Sequence, residues 1–449
     1  MKVLVINGSP KGDYSVTLQT CNYLMIKFPE ISFNVIHAGK YIRKYEKDFS
    51  EAAEKINNAD MIIFSYPVYT FAVPYQLHRF IELMKESGID FTSKIATQIS
   101  TSKHFYDVTA HEFVKLNCGD MGIKYIKGLS ADMEDLTTEK GQNEAVSFFK
   151  LVLWNIENGY FEKPYEKGSS VNSVTASAAE NTEKTLDKNV VIVTDMTEND
   201  MRLKAMLDRF TAVFPAKCKT GNISEYPMQG SCLGCFACTS TGKCVYKDGF
   251  DEFLRTEIQS GDAIVYAFSI KDHSMGSRFK MYDDRQFCNG HRTVTMGMPV
   301  GYIVSGNYSH EDNLKMIVEG RSEVGGNFLC GVAADENDTD NQIDRLAKTL
   351  AYALENRLTQ PANFLGVGGM KIFRDLIYQM QGLMKADHKF FKKHGQYDFP
   401  HNKKGTILAM YLISTLVNNK KIKAKMGANI MNEGMLMPYK KVLEEARKQ

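Results

Sequence analysis

Short apolar runs alternate with amphipathic stretches along residues 1–157, and the alternation returns after residue 188. The first series predicts strands at KVLVIN (2–7), SFNVIHA (32–38), DMIIFSYPVY (60–69), KIATQISTS (94–102) and IKYIKGLSA (123–131). Helices are expected near 15–27, 49–58, 74–86, 107–117 and 141–157, the third with Leu77, Phe80, Ile81 and Met84 on one face. Strands that read apolar throughout are buried on both sides, and helices between them make a covered parallel sheet. Five such units specify a doubly wound domain.

Residues 158–188 are polar, have no apolar period and read as a linker. The second series has strands at NVVIVTD (189–195), DAIVYAFS (262–269), PVGYIVSGN (299–307) and NFLCGVAA (327–334). Its helices are expected at 199–213, 249–258, 310–322 and 339–357. DAIVYAFS holds the place that DMIIFSYP holds in the first half, so residues 189–358 read as a degenerate copy of 1–157. Residues 359–449 break the alternation and read as a helical extension. Within it Gly366, Gly368 and Gly369 predict a turn, and Ile372, Leu376, Met380 and Leu383 predict a core-facing stripe.

Composition adds little to this picture, but charge does. The chain carries a net +2, yet residues 361–449 hold 16 Lys and Arg against 6 Asp and Glu. That tail is expected to be a solvated basic face, with a protein or membrane surface as its alternative partner and no nucleic acid expected. His388, His394 and His401 in the tail read as solvated or capping residues. The N-terminus lacks the apolar region of about 7–15 residues that a signal peptide needs. The longest apolar run, TILAMYLISTLV (406–417), is short of the ~18 residues of a membrane span. A cytoplasmic protein with reduced thiols is expected.

Three loops carry candidate chemistry at the carboxyl ends of the first domain's strands, where ligands of doubly wound sheets bind. In NGSPKGDYSVTLQT, Gly8 and Gly12 permit a tight turn, Ser9, Ser15 and Thr17 supply hydroxyls, and Lys11 supplies charge. With a helix N-terminus behind them, these residues make a phosphate cradle. The loop has neither Gly-x-Gly-x-x-Gly nor Gly-Lys-Ser/Thr. In SYPVYTFAVPYQL, Pro67 and Pro74 stiffen a loop that offers Val68, Tyr69, Thr70 and Phe71 to a flat ring; STSKHFYD adds Ser100, Thr101, Ser102 and His104.

The second domain carries CLGCFACTSTGKC, in which Cys232, Cys235, Cys238 and Cys244 fall within thirteen positions. Four thiolates suit an iron–sulfur cluster, tetrahedral zinc or thiol redox chemistry. Cysteines at every third position in one glycine-containing loop favour a [4Fe–4S] cube over paired zinc knuckles. The second domain's first loop, TDMTENDMRL, is acidic at Asp195, Glu198 and Asp200 and would repel a phosphate.

GSPKG..S.TL followed by ADMIIFSYPVY resembles the NAD(P)H-dependent FMN reductases of the flavodoxin-like superfamily, over most of residues 1–157. CLGCFACTSTGKCVYKDGF is similar to the cysteine motif of iron–sulfur flavoproteins in the same superfamily. The resemblance implies two tandem flavodoxin-like doubly wound parallel-sheet α/β domains plus a C-terminal helical extension. It implies FMN phosphate on Ser9, Lys11, Ser15 and Thr17, and the flavin ring on Pro67, Val68, Tyr69, Thr70, Phe71, Ser100, Thr101 and Ser102. It implies a [4Fe–4S] cluster on the four cysteines and NAD(P)H as donor, with NADH and NADPH not distinguished. His104 is the candidate for orienting substrate or placing a donor near the flavin.

The expected function is a flavin-dependent oxidoreductase that passes electrons from NAD(P)H through FMN, with the cluster, to a small-molecule or protein acceptor. An electron carrier or redox sensor that exchanges electrons with protein partners is the alternative, and a zinc-stabilised binding protein a third. The halves complement each other, one with the cradle and the other with the cysteines. An intrachain pseudo-dimer with divided labour, or a homo-oligomer, is therefore expected.

Overall fold

The computed structural model describes residues 1–164, 173–400 and 403–418. Two parallel sheets with helices on their faces make up tandem flavodoxin-like domains, both within a compact unit of residues Met1–Phe390; Phe391–Gln449 form a second unit.

The first domain runs β1 (Lys2–Asn7), α1 (Val16–Lys27), β2 (Ser32–Ile36), α2 (Ala38–Lys47), α3 (Ser50–Asn57), β3 (Met61–Pro67) and α4 (Tyr75–Glu86). It continues through β4 (Ile95–Ser102), α5 (Asp107–Asp120), β5 (Lys124–Tyr125), β6 (Leu129–Asp132) and α6 (Glu139–Asn158). The strand order is β2-β1-β3-β4-β5, with β6 also on β4, and every pairing is parallel. That is the order of the flavodoxin class. The expected fifth strand is split in two where Gly128 passes over Gln98; a Cβ there would stand 2.3 Å from Gln98 Cγ. Helix α2 escaped the periodicity because only Ala38, Gly39, Ile42 and Tyr45 of its charged sequence are buried.

The second domain runs β7 (Asn189–Thr194), α7 (Met201–Val213), β8 (Lys217–Asn222), α8 (Ala237–Thr241) and α9 (Phe250–Phe253), which continues as a π turn to Ile258. Then come β9 (Ala263–Ser269), α10 (Gly276–Arg285), β10 (Pro299–Ser305), α11 (Asp312–Gly325), β11 (Phe328–Ala334) and α12 (Thr339–Asn356). The order β8-β7-β9-β10-β11 repeats that of the first sheet. Three elements were not legible, among them the five-residue α8 within the cysteine loop. β8 is a polar edge strand, KCKTGN, and α10 buries Lys280, Asp283, Asp284 and Arg285 rather than an apolar stripe.

Those buried charges lie at the contact between the domains, where α4 packs on α10 and α5 on α11. The domains meet around a pseudo-two-fold axis whose signature is a repeated turn. Tyr69 and Ala72 exchange backbone hydrogen bonds across left-handed Thr70 and Phe71; Lys271 and Ser274 do the same across left-handed Asp272 and His273. The helix starts are capped reciprocally. Asp284 accepts from Thr70 Oγ1 at 2.5 Å and Tyr75 N at 2.8 Å, while Glu82 accepts from Ser277 N at 2.9 Å and Ser277 Oγ at 2.7 Å. Each domain thus supplies the carboxylate at the N-terminus of the other's helix, where the dipole favours it.

The described part of the linker, residues 173–188, has no helix or strand but is tied to the second domain. Val174 donates to Asp335 O and accepts from Thr339 Oγ1, and Thr182 and Leu186 donate to Ala212 and Pro215. The extension contributes α13 (Phe364–Gln379), capped by Asn363 Oδ1, and α14 (Lys385–Lys393). The expected glycine turn is instead the start of α13. Gly366 and Gly369 let it approach its neighbours: a Cβ at 369 would stand 2.6 Å from Val324 Cγ2, and one at 366 would stand 2.9 Å from Glu323 O. The expected stripe is rotated accordingly. Gly366, Gly369, Arg374 and Ile377 are buried, Leu383 is exposed, and Ile372 and Leu376 face a cleft described below. Described residues of the second unit include α15 (Lys404–Asn418). No described helix is long and apolar enough to cross a membrane. His401 lies outside the described residues.

Candidate active site

Behind β1, Asn7 organises the first loop. Its side chain accepts from Ser9 N at 3.1 Å and donates to Gly12 O at 2.9 Å, and Lys11 N donates to Ser9 Oγ at 3.3 Å. Ser15 caps α1 by accepting from Leu18 N. Thr17 in the first turn of α1 bonds Thr101 at the end of β4, at 2.5 Å, which locks the helix start to the neighbouring strand end. Ser9, Ser15 and Thr17 are buried although polar.

This loop is one wall of a cleft enclosing about 1120 Å³ of open space, its mouth included. Ser9, Lys11, Ser15 and Thr17 lie at one end; Pro67, Val68, Tyr69 and Thr70 form the β3–α4 side, and Thr101 and Ser102 the β4 end. The rest of the lining comes from elsewhere in the chain: Cys232, Gly234, Phe236 and Cys238 of the cysteine loop, Phe287 and His291 after α10, and Ile372, Phe373 and Leu376 of α13. Hydroxyls and a lysine at a helix N-terminus, leading into an apolar slot, fit a phosphate-bearing planar aromatic ligand.

Three expected residues are placed otherwise. Ser100 bonds His111 Nε2 at 2.7 Å, beneath the cleft. Phe71 lies against Tyr106, ring centroids 3.9 Å apart, and faces a second chamber. His104 is half-exposed and bonds Asp107 Oδ2 at 2.9 Å. Both His104 and Tyr106 take left-handed backbone conformations, so Phe105 between them faces the cleft and His104 faces a different hollow.

The four cysteines converge on a small hollow whose other walls include Leu233, Phe236, Val245, Tyr246 and Phe287. Gly234 N donates to Cys232 Sγ at 3.4 Å. Burial pushes the Cys238 thiol up to about 11 and that of Cys232 well above its ordinary value, which a bound metal's charge would reverse. A zinc ion at ~2.3 Å from each sulfur holds them about 3.8 Å apart. Among the described residues the cysteines do not gather so closely: no three of the sulfurs form a group with all members within 4.8 Å. Four thiolates on one short loop are a donor set that fits a cube of iron and sulfide.

Buried Arg285 holds this loop in place. It donates to Gly230 O at 2.8 Å and makes a paired bridge to Asp248, both contacts 2.8 Å, while its guanidinium lies over Tyr246 and Phe250. Burial opposes ionisation of Asp248, but the Arg285 bridge outweighs it and lowers the carboxyl to about 2. The cysteine loop also touches the first domain directly. A Cβ at left-handed Gly234 would stand 2.0 Å from Tyr69 Oη, and Lys11 Nζ sits 5.3 Å from the Phe236 ring centre.

The matching region of the second domain is an acidic cleft lined by Asp195, Thr197, Asp200, Ser269 and Lys271. Burial, and then the neighbouring Asp200 charge, push Asp195 up to about 7. It is no phosphate cradle.

Residues 1–123 match the family model described as NADPH-dependent FMN reductase. That match falls within the first domain and covers about a quarter of the chain. Solved structures similar to the chain include an NADH:FMN oxidoreductase in its apo form, with 20% identity, TM-score 0.29, and 34% of this chain and 89% of that one covered. Another is an FMN-dependent NADH-azoreductase from Bacillus anthracis str. Ames Ancestor in complex with FMN, with 14% identity, TM-score 0.27, and 36% and 100% covered. A third is an NAD(P)H:quinone oxidoreductase from Methanothermobacter marburgensis, with 13% identity, TM-score 0.27, and 37% and 98% covered. No curated protein matches the chain.

Part of the cleft lies outside the first domain, on residues that no motif above included. Phe287, Cys288 and His291 follow α10, and Cys288 is a fifth cysteine on the hollow lined by the other four. The run QFCNGHR, with its aromatic, thiol and imidazole around a glycine, was the available signal. Asp387 of α14 fixes that run, accepting from His291 N at 3.1 Å and Arg292 Nη1 at 2.8 Å.

Proposed function

We propose that the protein is a flavin-dependent oxidoreductase in which the first domain binds FMN and the second holds a [4Fe–4S] cluster on Cys232, Cys235, Cys238 and Cys244. The observation that carries this reading is the shared cleft: Cys232 and Cys238 line the same space as Ser9, Lys11, Ser15 and Thr17. FMN would supply two-electron exchange with NAD(P)H and one-electron exchange with the cluster. Lys11 and the hydroxyls of Ser9, Ser15 and Thr17 hold the phosphate at the start of α1. Val68, Tyr69 and Thr70, with Phe287, Phe373 and Ile372, would hold the ring and exclude water from it. Ser100 and Phe71 act behind the cleft, and no catalytic role is assigned to His104.

In this reading the domain division at 1–157, 189–358 and 359–449 is also a division of labour, and the extension roofs the site through α13. The donor is NAD(P)H, and the acceptor is a small molecule or protein that reaches the cleft or the adjoining chamber.

Iron, sulfide and FMN analysis of anaerobically purified protein tests this. About four iron, four sulfide and one FMN per chain are expected, with NAD(P)H bleaching the flavin. Two FMN per chain would remove the division of labour, and FMN without iron would leave a plain flavin reductase.

A further inference from the structure

The pseudo-two-fold contact contains the same carboxylate-and-turn arrangement twice, with different chemistry. On one side, buried Lys280 of α10 sends its ammonium to Tyr69 O at 2.9 Å, to Thr70 Oγ1 at 3.0 Å and to Asp284. The repeated turn pairs Tyr69 with Lys271, an offset of 202 positions. By that offset Thr70 corresponds to Asp272, Glu82 to Asp284, and His78 to Lys280. On the other side, therefore, a fixed cation has been replaced by an imidazole, and a hydroxyl by a second carboxylate.

We propose that His78, Glu82 and Asp272 form a divalent-cation site, in which a bound metal ion takes the structural place that the Lys280 ammonium takes across the axis. One ligand atom from each residue lies within 4.8 Å of the others. His78 is fully buried, and neither of its ring nitrogens has a hydrogen-bond partner. Its Nε2 stands 3.9 Å from Glu82 Oε1. That is too long for a hydrogen bond and close to the ~3.4 Å between two ligands at ~2.1 Å from one tetrahedral ion.

Neighbouring cations do not occupy the place. Arg79 at 2.8 Å and Lys271 at 3.3 Å engage Glu82 Oε2, and Lys85 at 2.7 Å engages Asp272 Oδ1. Glu82 Oε1 accepts from Ser277 N at 2.9 Å and faces His78 with its remaining lone pair, and Asp272 Oδ2 is buried without a hydrogen bond. The Phe113 ring, 4.5 Å from the imidazole, limits its rotation. Imidazole with two carboxylates suits first-row divalent ions from Mn²⁺ to Zn²⁺. Glu82 borders the acidic cleft of the second domain, which gives an ion a way in. None of the three ligands lines the cleft proposed for FMN, so this site stands or falls independently of that reading.

The test is Mn²⁺ titration of EDTA-treated, otherwise intact holoprotein, followed by the loss of the free-ion electron paramagnetic resonance signal and by thermal melting. The wild type should bind one Mn²⁺ per chain and melt higher with it. His78→Lys should bind none and melt at the same temperature with and without Mn²⁺, because the ammonium replaces the ion. Asp272→Asn, which keeps an oxygen for Lys85, should weaken Mn²⁺ binding more than tenfold and checks the result if His78→Lys does not fold. No Mn²⁺ uptake by the wild type, or equal uptake by the wild type and the folded variants, would overturn the proposal.

Discussion

The two domains share strand order, the left-handed turn after the third strand and the reciprocal helix caps, yet their ligand-facing ends have opposite character. After β1 stand buried hydroxyls and Lys11; after β7 stand Asp195 and Asp200, with Asp195 pushed up to about 7. A doubly wound sheet presents a binding edge whatever its side chains are, because loops and helix N-termini collect at the strand ends. Chemistry at that edge depends on a few residues, so one copy can change its ligand while the shared frame stays. The second domain has no hydroxyl and lysine loop after β7, and its cysteine loop lines the first domain's cleft instead.

The strongest way to break this arrangement is at Arg285. Arg285→Met leaves the Asp248 carboxylate only its backbone donors, Gln229 N and Phe250 N, and frees Gly230 O, so a loss of about 3 kcal/mol is expected. Chemical denaturation measures it, and iron should fall with stability while the cradle residues are untouched. Next comes a substitution that imposes the second domain's character on the first. Ser15→Asp retains a good helix cap but puts a carboxylate in the cradle. FMN should bind about 100-fold more weakly, roughly 2.7 kcal/mol by equilibrium titration, with the melting temperature nearly unchanged.

The contact between the domains can be sharpened by a double-mutant cycle. Gly234→Ala places a Cβ against Tyr69 Oη at a left-handed position and should cost about 1–3 kcal/mol. Adding Tyr69→Phe should recover part of that, and full additivity would show that the loops do not press on each other. The smallest effect is one of pH. Asp248 ionises at about 2 when folded, against ~3.9 for an unperturbed aspartate. Its contribution is fully present above pH ~4 and is lost as pH falls toward 2, so the wild type should lose stability there more steeply than Asp248→Asn.

The parallel sheets and the cradle were legible because their signals are local: apolar runs of strand length, and hydroxyls with a lysine just before a helix. Ten of the expected flavin-site residues, from Ser9 to Ser102, line one cleft. Ser100 and Phe71 stand off the cleft because adjacent residues of a strand face opposite ways and a left-handed turn redirects its side chains. His104 faces another hollow for the second of these reasons. Helix α10 was illegible because it buries charges against partners far along the chain, Lys280 and Asp284 on the first domain and Arg285 on Asp248, a pattern that reads as solvent-facing until the partners are known.

Sequence by itself determined the two-fold repetition of the sheet, the phosphate-compatible loop, the clustering of four thiols and the acidic character of the second edge. Each is fixed by residues close together along the chain. Only the tertiary structure decided that the cysteine loop and α13 close the first domain's cleft, that Arg285 anchors that loop, and that His78 stands opposite Lys280 across the axis. Those depend on contacts between residues tens to hundreds of positions apart. Their partners are chosen by packing, buried charge pairing and pseudo-symmetry, none of which leaves a local pattern.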